Sequence, residues 1–88
     1  MKVIKRDGRT IDFDKTKIEI AIEKANKEVK ENHKATKKEI NEIIEYIEEL
    51  GKKRILVEDI QDIIEQKLME YDRYELAKKY IVYRYTRT

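Results

Sequence analysis

The residues best suited to chemistry in this 88-residue chain stand at its start, in the stretch MKVIKRDGRT. Four basic side chains, Lys2, Lys5, Arg6 and Arg9, fall within nine positions around one Asp-Gly step. Such a group is typical of a solvated turn, of a nucleic-acid patch or of a site for a small anion. The other end of the chain is also basic, because residues 78–88 hold four cationic side chains and no acidic one. A fold that brings the two ends together would focus their charge into one anion site.

Several of these cations occupy positions that suit a phosphate ligand. Lys5 and Arg6 are neighbours on a predicted strand, which would direct their side chains to opposite faces. Lys17 lies in the first turn of a predicted helix, where free backbone N–H groups and the helix dipole also favour an anion. Arg84 and Arg87 are three residues apart on another predicted helix and therefore share one side of it. Each of these side chains alone is ordinarily a solvated charge, but together they suggest a polyphosphate ligand.

Composition excludes several function classes. The net charge is only +2 although charged residues form 45% of the chain, which argues against non-specific DNA binding. Cysteine and serine are absent and His33 is the single histidine, so no thiolate metal site and no serine nucleophile is available. The sequence contains no P-loop, no dinucleotide glycine fingerprint and no apolar run that could span a membrane. We therefore expect a cytoplasmic protein that is not an enzyme, has no membrane partner and builds no metal site of its own.

The hydrophobic pattern predicts a small β-element on four helices. In VIKRDGRTIDF, the Asp7-Gly8 pair predicts a two-residue hairpin turn with positive φ at both positions. Apolar residues at helical spacing predict helices over about 15–30, 37–50, 58–71 and 74–87. The short β-branched stretch KRILV, which precedes the third helix, is expected to add a third strand to the hairpin.

Capping signals support these boundaries. Asp14 is placed to cap the first helix, Thr36 and Glu39 form a capping box for the second helix, and Gly51 is placed to end it. The expected fold class is α+β, mostly α, with a single domain over residues 1–88. In this fold, a four-helix arrangement is capped by a small N-terminal β-hairpin or three-stranded mixed sheet. The predicted core includes Leu50, Tyr71 and Tyr80, while Tyr83 and Tyr85 suit either a pocket wall or the core.

Three segments of the chain, taken together, resemble a known family. VIKRDGRTIDFDKTKIEIAIEKA, VEDIQDIIEQKL and YELAKKYIVYRY resemble the ATP-cone in this order and spacing, over nearly the whole chain. The ATP-cone is the adenine-nucleotide-sensing domain at the N-terminus of many ribonucleotide reductases, and it also occurs in NrdR-type transcriptional repressors. The resemblance implies regulation without catalysis. ATP or dATP, with Mg²⁺ as a companion ion, is expected to bind beneath the hairpin and to change how the parent protein oligomerises.

The resemblance also implies site residues, by matching position. Lys5, Arg6 and Arg87 look like phosphate ligands. The segment 11–18 looks like the wall for adenine and ribose, with polar contacts from Asp14 and Lys17. Val57 and Gln61 look like further neighbours of the nucleotide, at positions where some relatives carry Thr and His. The complete predicted nucleotide-binding set is Val3, Lys5, Arg6, Ile11, Asp14, Lys17, Ile18, Val57, Gln61, Arg84 and Arg87.

Two other interpretations are compatible with the sequence. One is a small nucleic-acid-binding module, which the near-neutral net charge and the lack of a continuous basic helix disfavour. The other is a helical protein-interaction domain with a degenerate nucleotide site, able to form homo-oligomers. In the leading interpretation the partners are an adenine nucleotide and the catalytic or DNA-binding domain of a parent protein.

Overall fold

The structure, a computed structural model, describes residues 1–86, so the predicted phosphate ligand Arg87 lies outside the described residues. The strands are β1 (Lys2–Ile4), β2 (Thr10–Asp12) and β3 (Arg54–Leu56). The helices are α1 (Lys15–Asn26), α2 (Lys37–Glu49), α3 (Val57–Glu70) and α4 (Tyr74–Thr86), and a short 3₁₀-helix spans Glu31–His33. The predicted fold class, α+β and mostly α with a three-stranded mixed sheet, is confirmed.

The sheet has the order β2-β1-β3, which puts the start of the chain at its centre. β1 pairs antiparallel with β2, with Val3 opposite Ile11, and parallel with β3, with Val3 opposite Ile55. The strand predicted from KRILV is therefore present. Because β3 leads directly into α3, this pairing brings the basic start of the chain beside the N-terminus of α3.

The hairpin loop differs from the two-residue turn that the sequence predicts. Lys5 N–H donates to the Arg9 carbonyl (2.8 Å) and Gly8 N–H donates to the Lys5 carbonyl (2.9 Å), which closes a three-residue loop. Only Gly8 has positive φ, at 88°, and Asp7 does not. A three-residue loop requires the left-handed conformation only at its last position, so it avoids strain at the aspartate. β1 ends at Ile4, so Lys5 and Arg6 lie in the loop that follows it. The rule that successive strand residues point to opposite faces therefore does not apply to these two side chains.

α1 ends about four residues earlier than predicted. The Asn26 side chain donates from Nδ2 to the Ala35 carbonyl (3.2 Å) and accepts from Ala35 N–H (3.0 Å). Both polar atoms of the Asn26 amide are therefore used at the last residue of α1. The same two bonds tie the end of α1 to the residues that precede α2.

The predicted caps are present, and one predicted core residue is not buried. Asp14 accepts from Thr16 N–H (3.0 Å) at the start of α1, and the capping box at the start of α2 has both of its hydrogen bonds. Gly51 takes positive φ, at 64°, just after α2. Leu50, at the C-cap of α2, is 37% exposed because it lies beyond the last buried turn of that helix.

The core lies between the four helices and one face of the sheet. α4 packs against α1 and α3, and α2 packs mainly against α3 and α1. Tyr80 is buried as predicted, whereas Tyr71 is only partly buried. Within residues 1–86, no helix is long and apolar enough to cross a membrane. The fully buried large side chains are Ile22, Ile43, Ile47, Ile64, Leu68 and Leu76.

Candidate functional site

A cleft of about 450 Å³ opens between the hairpin, α1, α3 and α4. The hairpin and the start of α1 form one wall, while α3 and α4 form the other. The cleft brings together all the predicted site residues that the structure describes. These are Val3, Lys5, Arg6, Ile11, Asp14, Lys17, Ile18, Val57, Gln61 and Arg84.

The cleft also contains residues that the sequence analysis did not assign to a site. Ile60 and Ile64 follow the core spacing of α3, and Tyr80 was predicted only as a core residue, yet each of the three also lines the cleft. Tyr83 lines it as well, whereas Tyr85 is largely exposed and does not. Spacing on α4 could have signalled this wall, since residues 80, 83 and 84 share one side of a helix. The other additional lining residues are Asp7, Arg9 and Ala21, while Asp12 and Phe13 belong to the segment 11–18 that the resemblance assigned to the adenine and ribose wall.

The cations of the cleft differ in how far their charge is already compensated. Within residues 1–86, neither Lys5 nor Lys17 forms an ion pair. Arg9 donates from Nε to Asp7 (2.7 Å), and Arg6 Nε lies 3.3 Å from a carboxylate oxygen of Glu58 on α3. The two lysines are therefore the cations most available to a bound anion.

Arg84 is held more firmly than the other cleft cations. Its side chain is only 11% exposed, and Nη1 pairs with Glu65 and with Asp62 (3.3 Å), both on α3. Burial acts to lower the pKa of Arg84, but hydrogen bonds from the guanidinium to the two carboxylates outweigh that effect and raise it. Two carboxylates of α3 therefore largely neutralise the charge of Arg84. The sequence had suggested that this arginine would be available to a phosphate.

Two buried polar atoms on the cleft wall have no hydrogen-bond partner among the described residues. They are Oε1 of Gln61 and Nε of Arg84. Native proteins rarely leave such atoms unsatisfied, and each exception calls for a partner such as water or a ligand. The wall of α3 and α4 therefore offers one acceptor and one donor to a bound molecule.

Two tyrosine rings, from Tyr80 and Tyr83, line the cleft side by side. Tyr80 and Tyr83 have ring centroids 6.5 Å apart at an interplanar angle of 27°. Burial is the main effect that raises the pKa of the Tyr80 hydroxyl above its ordinary value. The Tyr80 phenol is therefore neutral across the physiological pH range, and this part of the wall is suited to an apolar or aromatic group.

Acidic groups at the hairpin offset only part of its positive charge, through pairs with Arg9 and Lys2. The backbone N–H of Arg9 donates to Asp7 and is the main cause that lowers the pKa of that carboxyl, with the Arg9 and Lys5 charges also contributing. The Asp12 carboxyl is paired with Lys2, which lowers its pKa. Asp14 is engaged as the cap of α1. The cleft thus combines a cationic rim with an apolar and aromatic wall, an arrangement suited to a ligand with both a polyanionic and a ring-shaped part.

Comparison with known proteins shows the family of the chain. The model of the ATP cone domain family matches residues 1–88. The chain belongs to the ATP cone domain family. It is 37% identical over 94 residues to the ribonucleoside-diphosphate reductase subunit alpha of Chlamydia pneumoniae, which covers 97% of this chain and 9% of that protein.

Two further relatives are vitamin B12-dependent ribonucleoside-diphosphate reductases. The protein from Thermoplasma acidophilum is 38% identical over 90 residues, covering 94% of this ATP cone domain and 11% of the relative. The protein from Mycobacterium tuberculosis is 35% identical over 86 residues, covering 98% and 12% respectively. The chain therefore spans about a tenth of the length of the curated relatives that it matches.

Proposed function

We propose that this chain is the nucleotide-sensing regulatory domain of a ribonucleotide reductase and that it binds ATP or dATP in the cleft. ATP cone domains bind adenine nucleotides as allosteric ligands, and they are a regulatory rather than a catalytic part of reductases. The observation that carries the proposal is that one cleft is lined by every described residue of the predicted nucleotide-binding set.

The charge distribution suggests how the triphosphate is held. Lys5 and Lys17, from the hairpin and from the first turn of α1, supply charge that is not already compensated within residues 1–86. The positive end of the α1 dipole adds to this attraction. We assign the base and the ribose to the apolar side chains of Ile11, Ile18 and Val3, which line the same cleft.

Mg²⁺ would enter this cleft with the triphosphate. Among residues 1–86, no group of three or more His, Cys, Asp or Glu side chains is arranged to hold a metal ion. Mg²⁺ commonly keeps several of its waters and binds through substrate phosphates with one or two carboxylates. Asp14, at the cap of α1, is the carboxylate of the predicted set that lies in the cleft.

Regulation requires that ATP and dATP act differently on the parent protein. The two nucleotides differ by one ribose hydroxyl, and a site that pairs this hydroxyl leaves a buried polar group unsatisfied when dATP binds. A ligand shifts a conformational equilibrium only by its difference in affinity for the two states. We therefore assign the switch in assembly of the parent protein to a difference in how the cleft closes around the two sugars.

Isothermal titration with ATP, dATP and GTP tests the proposed function. We expect both adenine nucleotides to bind and GTP to bind more weakly. Absence of binding by ATP and dATP at millimolar concentration would exclude the proposal. A gel shift with single-stranded DNA at low salt that ATP fails to compete would instead support the nucleic-acid-binding alternative.

A further inference from the structure

Three acidic residues of α3 pair with arginines that line the cleft, and they form a stripe along the helix. Glu58, Asp62 and Glu65 are four and three residues apart, so they lie along one side of the helix. Glu58 pairs with Arg6 of the hairpin loop at 3.3 Å, while Asp62 and Glu65 pair with Arg84 of α4. One helix side therefore supplies counter-anions to two of the cations that were predicted to bind the nucleotide.

The two ion pairs differ in how easily a ligand could displace them. Arg84 is 11% exposed and has two carboxylate partners, so removing a partner would leave a nearly buried charge uncompensated. Arg6 and Glu58 are each 40% exposed and form a single contact. Such exposed pairs contribute little to stability because water screens them. A phosphate group can therefore replace Glu58 as the partner of Arg6, while Arg84 stays with α3.

We propose that Glu58 is an internal counter-anion that competes with the nucleotide phosphates for Arg6 and so lowers the affinity of the cleft for polyphosphate. This inference rests on the proposed function and adds a residue that tunes it. Without nucleotide, the Arg6–Glu58 pair ties the hairpin loop to the first turn of α3. With nucleotide, Arg6 turns to the phosphates, the tie is released, and the Glu58 carboxylate is left facing solvent.

The proposal makes the effect of Glu58 depend on the phosphates of the ligand. Adenosine carries no group that competes for Arg6, so its affinity does not depend on the Glu58 charge. ATP and inorganic tripolyphosphate both compete with Glu58, and both are also repelled by its negative charge. A mainly structural function of Glu58 would instead affect adenosine and ATP alike.

Isothermal titration of Glu58→Gln with ATP, adenosine and inorganic tripolyphosphate tests the proposal. The substitution keeps the size of the side chain and removes its charge. We expect ATP and tripolyphosphate to bind about two- to fivefold more tightly, the range that an exposed ion pair can release, and adenosine binding to stay unchanged. In an Arg6→Gln background, the same substitution should keep only the small gain that comes from removing the repelling charge, similar to that of Asp59→Asn.

Asp59→Asn is the matched control. Asp59 is the next residue in the first turn of α3 and is exposed, and no ion pair holds it within the described part of the chain. Its substitution removes the same unit of charge and a similar interaction with the helix dipole. We expect a clearly smaller gain than with Glu58→Gln. Equal gains in the two variants would overturn the proposal, because they would show a general field effect rather than competition for Arg6.

The tripolyphosphate titration separates this inference from the proposed function. If the unsubstituted chain binds no adenine nucleotide, the proposed function fails. Tighter tripolyphosphate binding by Glu58→Gln than by Asp59→Asn would still support Glu58 as a counter-anion. If Glu58→Gln binds tripolyphosphate no better than Asp59→Asn, including the case where neither binds it, the inference is wrong.

Discussion

At the scale of single residues, the cleft separates cations that look equivalent in the sequence. Arg6, Arg9 and Arg84 already have carboxylate partners, whereas Lys5 and Lys17 have none among the described residues. The sequence could not show this difference, because Glu58 and Glu65 are far from Arg6 and Arg84 along the chain. Only the packing of the hairpin and α4 against α3 brings these partners together.

Lys5→Ala should weaken triphosphate binding much more than adenosine binding. A charged hydrogen bond contributes about 1.5–3 kcal/mol, so we expect ATP affinity to fall by about tenfold or more. Adenosine has no phosphate, and its affinity should stay within about twofold, well below the tenfold that 1.4 kcal/mol represents. Isothermal titration with both ligands measures the contrast.

Lys38→Ala is the control for Lys5→Ala, since Lys38 is exposed on α2, outside the cleft, and its substitution removes the same charge. It should leave the affinity for ATP nearly unchanged. Equal losses of ATP and adenosine binding in Lys5→Ala would remove Lys5 as a phosphate ligand.

At the scale of elements, the sequence predicted what local patterns determine. The period of the isoleucines located α2 and α3, and Thr36 with Glu39 marked the start of α2, because a cap and an apolar stripe are both encoded within one or two turns. The predicted end of α1, at about residue 30, was wrong. α1 ends where Asn26 bonds Ala35, nine residues away, and no local signal announces that bond.

Arg73 makes contacts between helices that the sequence did not reveal. It follows the turn at Asp72 and donates from Nε and Nη2 to the two carboxylate oxygens of Glu39 on α2, both at 3.3 Å. Its Nη1 also donates to the Asn32 carbonyl in the 3₁₀-helix (3.0 Å). The side chains of Arg73 and Glu39 are only 24% and 16% exposed, so this bidentate pair is partly shielded from water. It ties the start of α4 to the start of α2.

Arg73→Ala should destabilise the domain without involving the cleft. We expect the free energy of unfolding to fall by about 1–3 kcal/mol, because the substitution removes hydrogen bonds to a carboxylate and to a backbone carbonyl. Urea unfolding followed by circular dichroism measures this loss.

The control for Arg73→Ala is Lys78→Ala. The ion pair of Lys78 with Glu75 spans 3.8 Å and is largely exposed, so its loss should change the free energy of unfolding by no more than about 0.5 kcal/mol. If the two variants lost the same stability, the Arg73 contacts would contribute no more than a surface ion pair.

At the scale of the whole molecule, the fold brings cations from the basic start of the chain and Arg84 of α4 to one cleft. Residues 1–17 carry six basic and three acidic side chains, and β1, β2 and the start of α1 place part of them opposite α4. From charge alone, the sequence indicated only that the two basic ends would form one anion site if the fold brought them together. It did not predict that α3 runs between the two ends and compensates part of their charge through Glu58, Asp62 and Glu65.

Because the cleft is lined by the hairpin and α1 from the start of the chain and by α3 and α4 from its end, a bound nucleotide should stabilise the fold as a whole. At an ATP concentration of 100 times the dissociation constant, binding to the folded state alone adds about 2.7 kcal/mol. For a domain of this size, that corresponds to a rise in melting temperature on the order of 10–20 °C. Differential scanning calorimetry at matched ionic strength measures it. Lys38→Ala should show the same rise and Lys5→Ala a smaller one at the same ATP concentration. An equal rise with sodium chloride in place of ATP would contradict specific binding and assign the effect to screening of the charged surface.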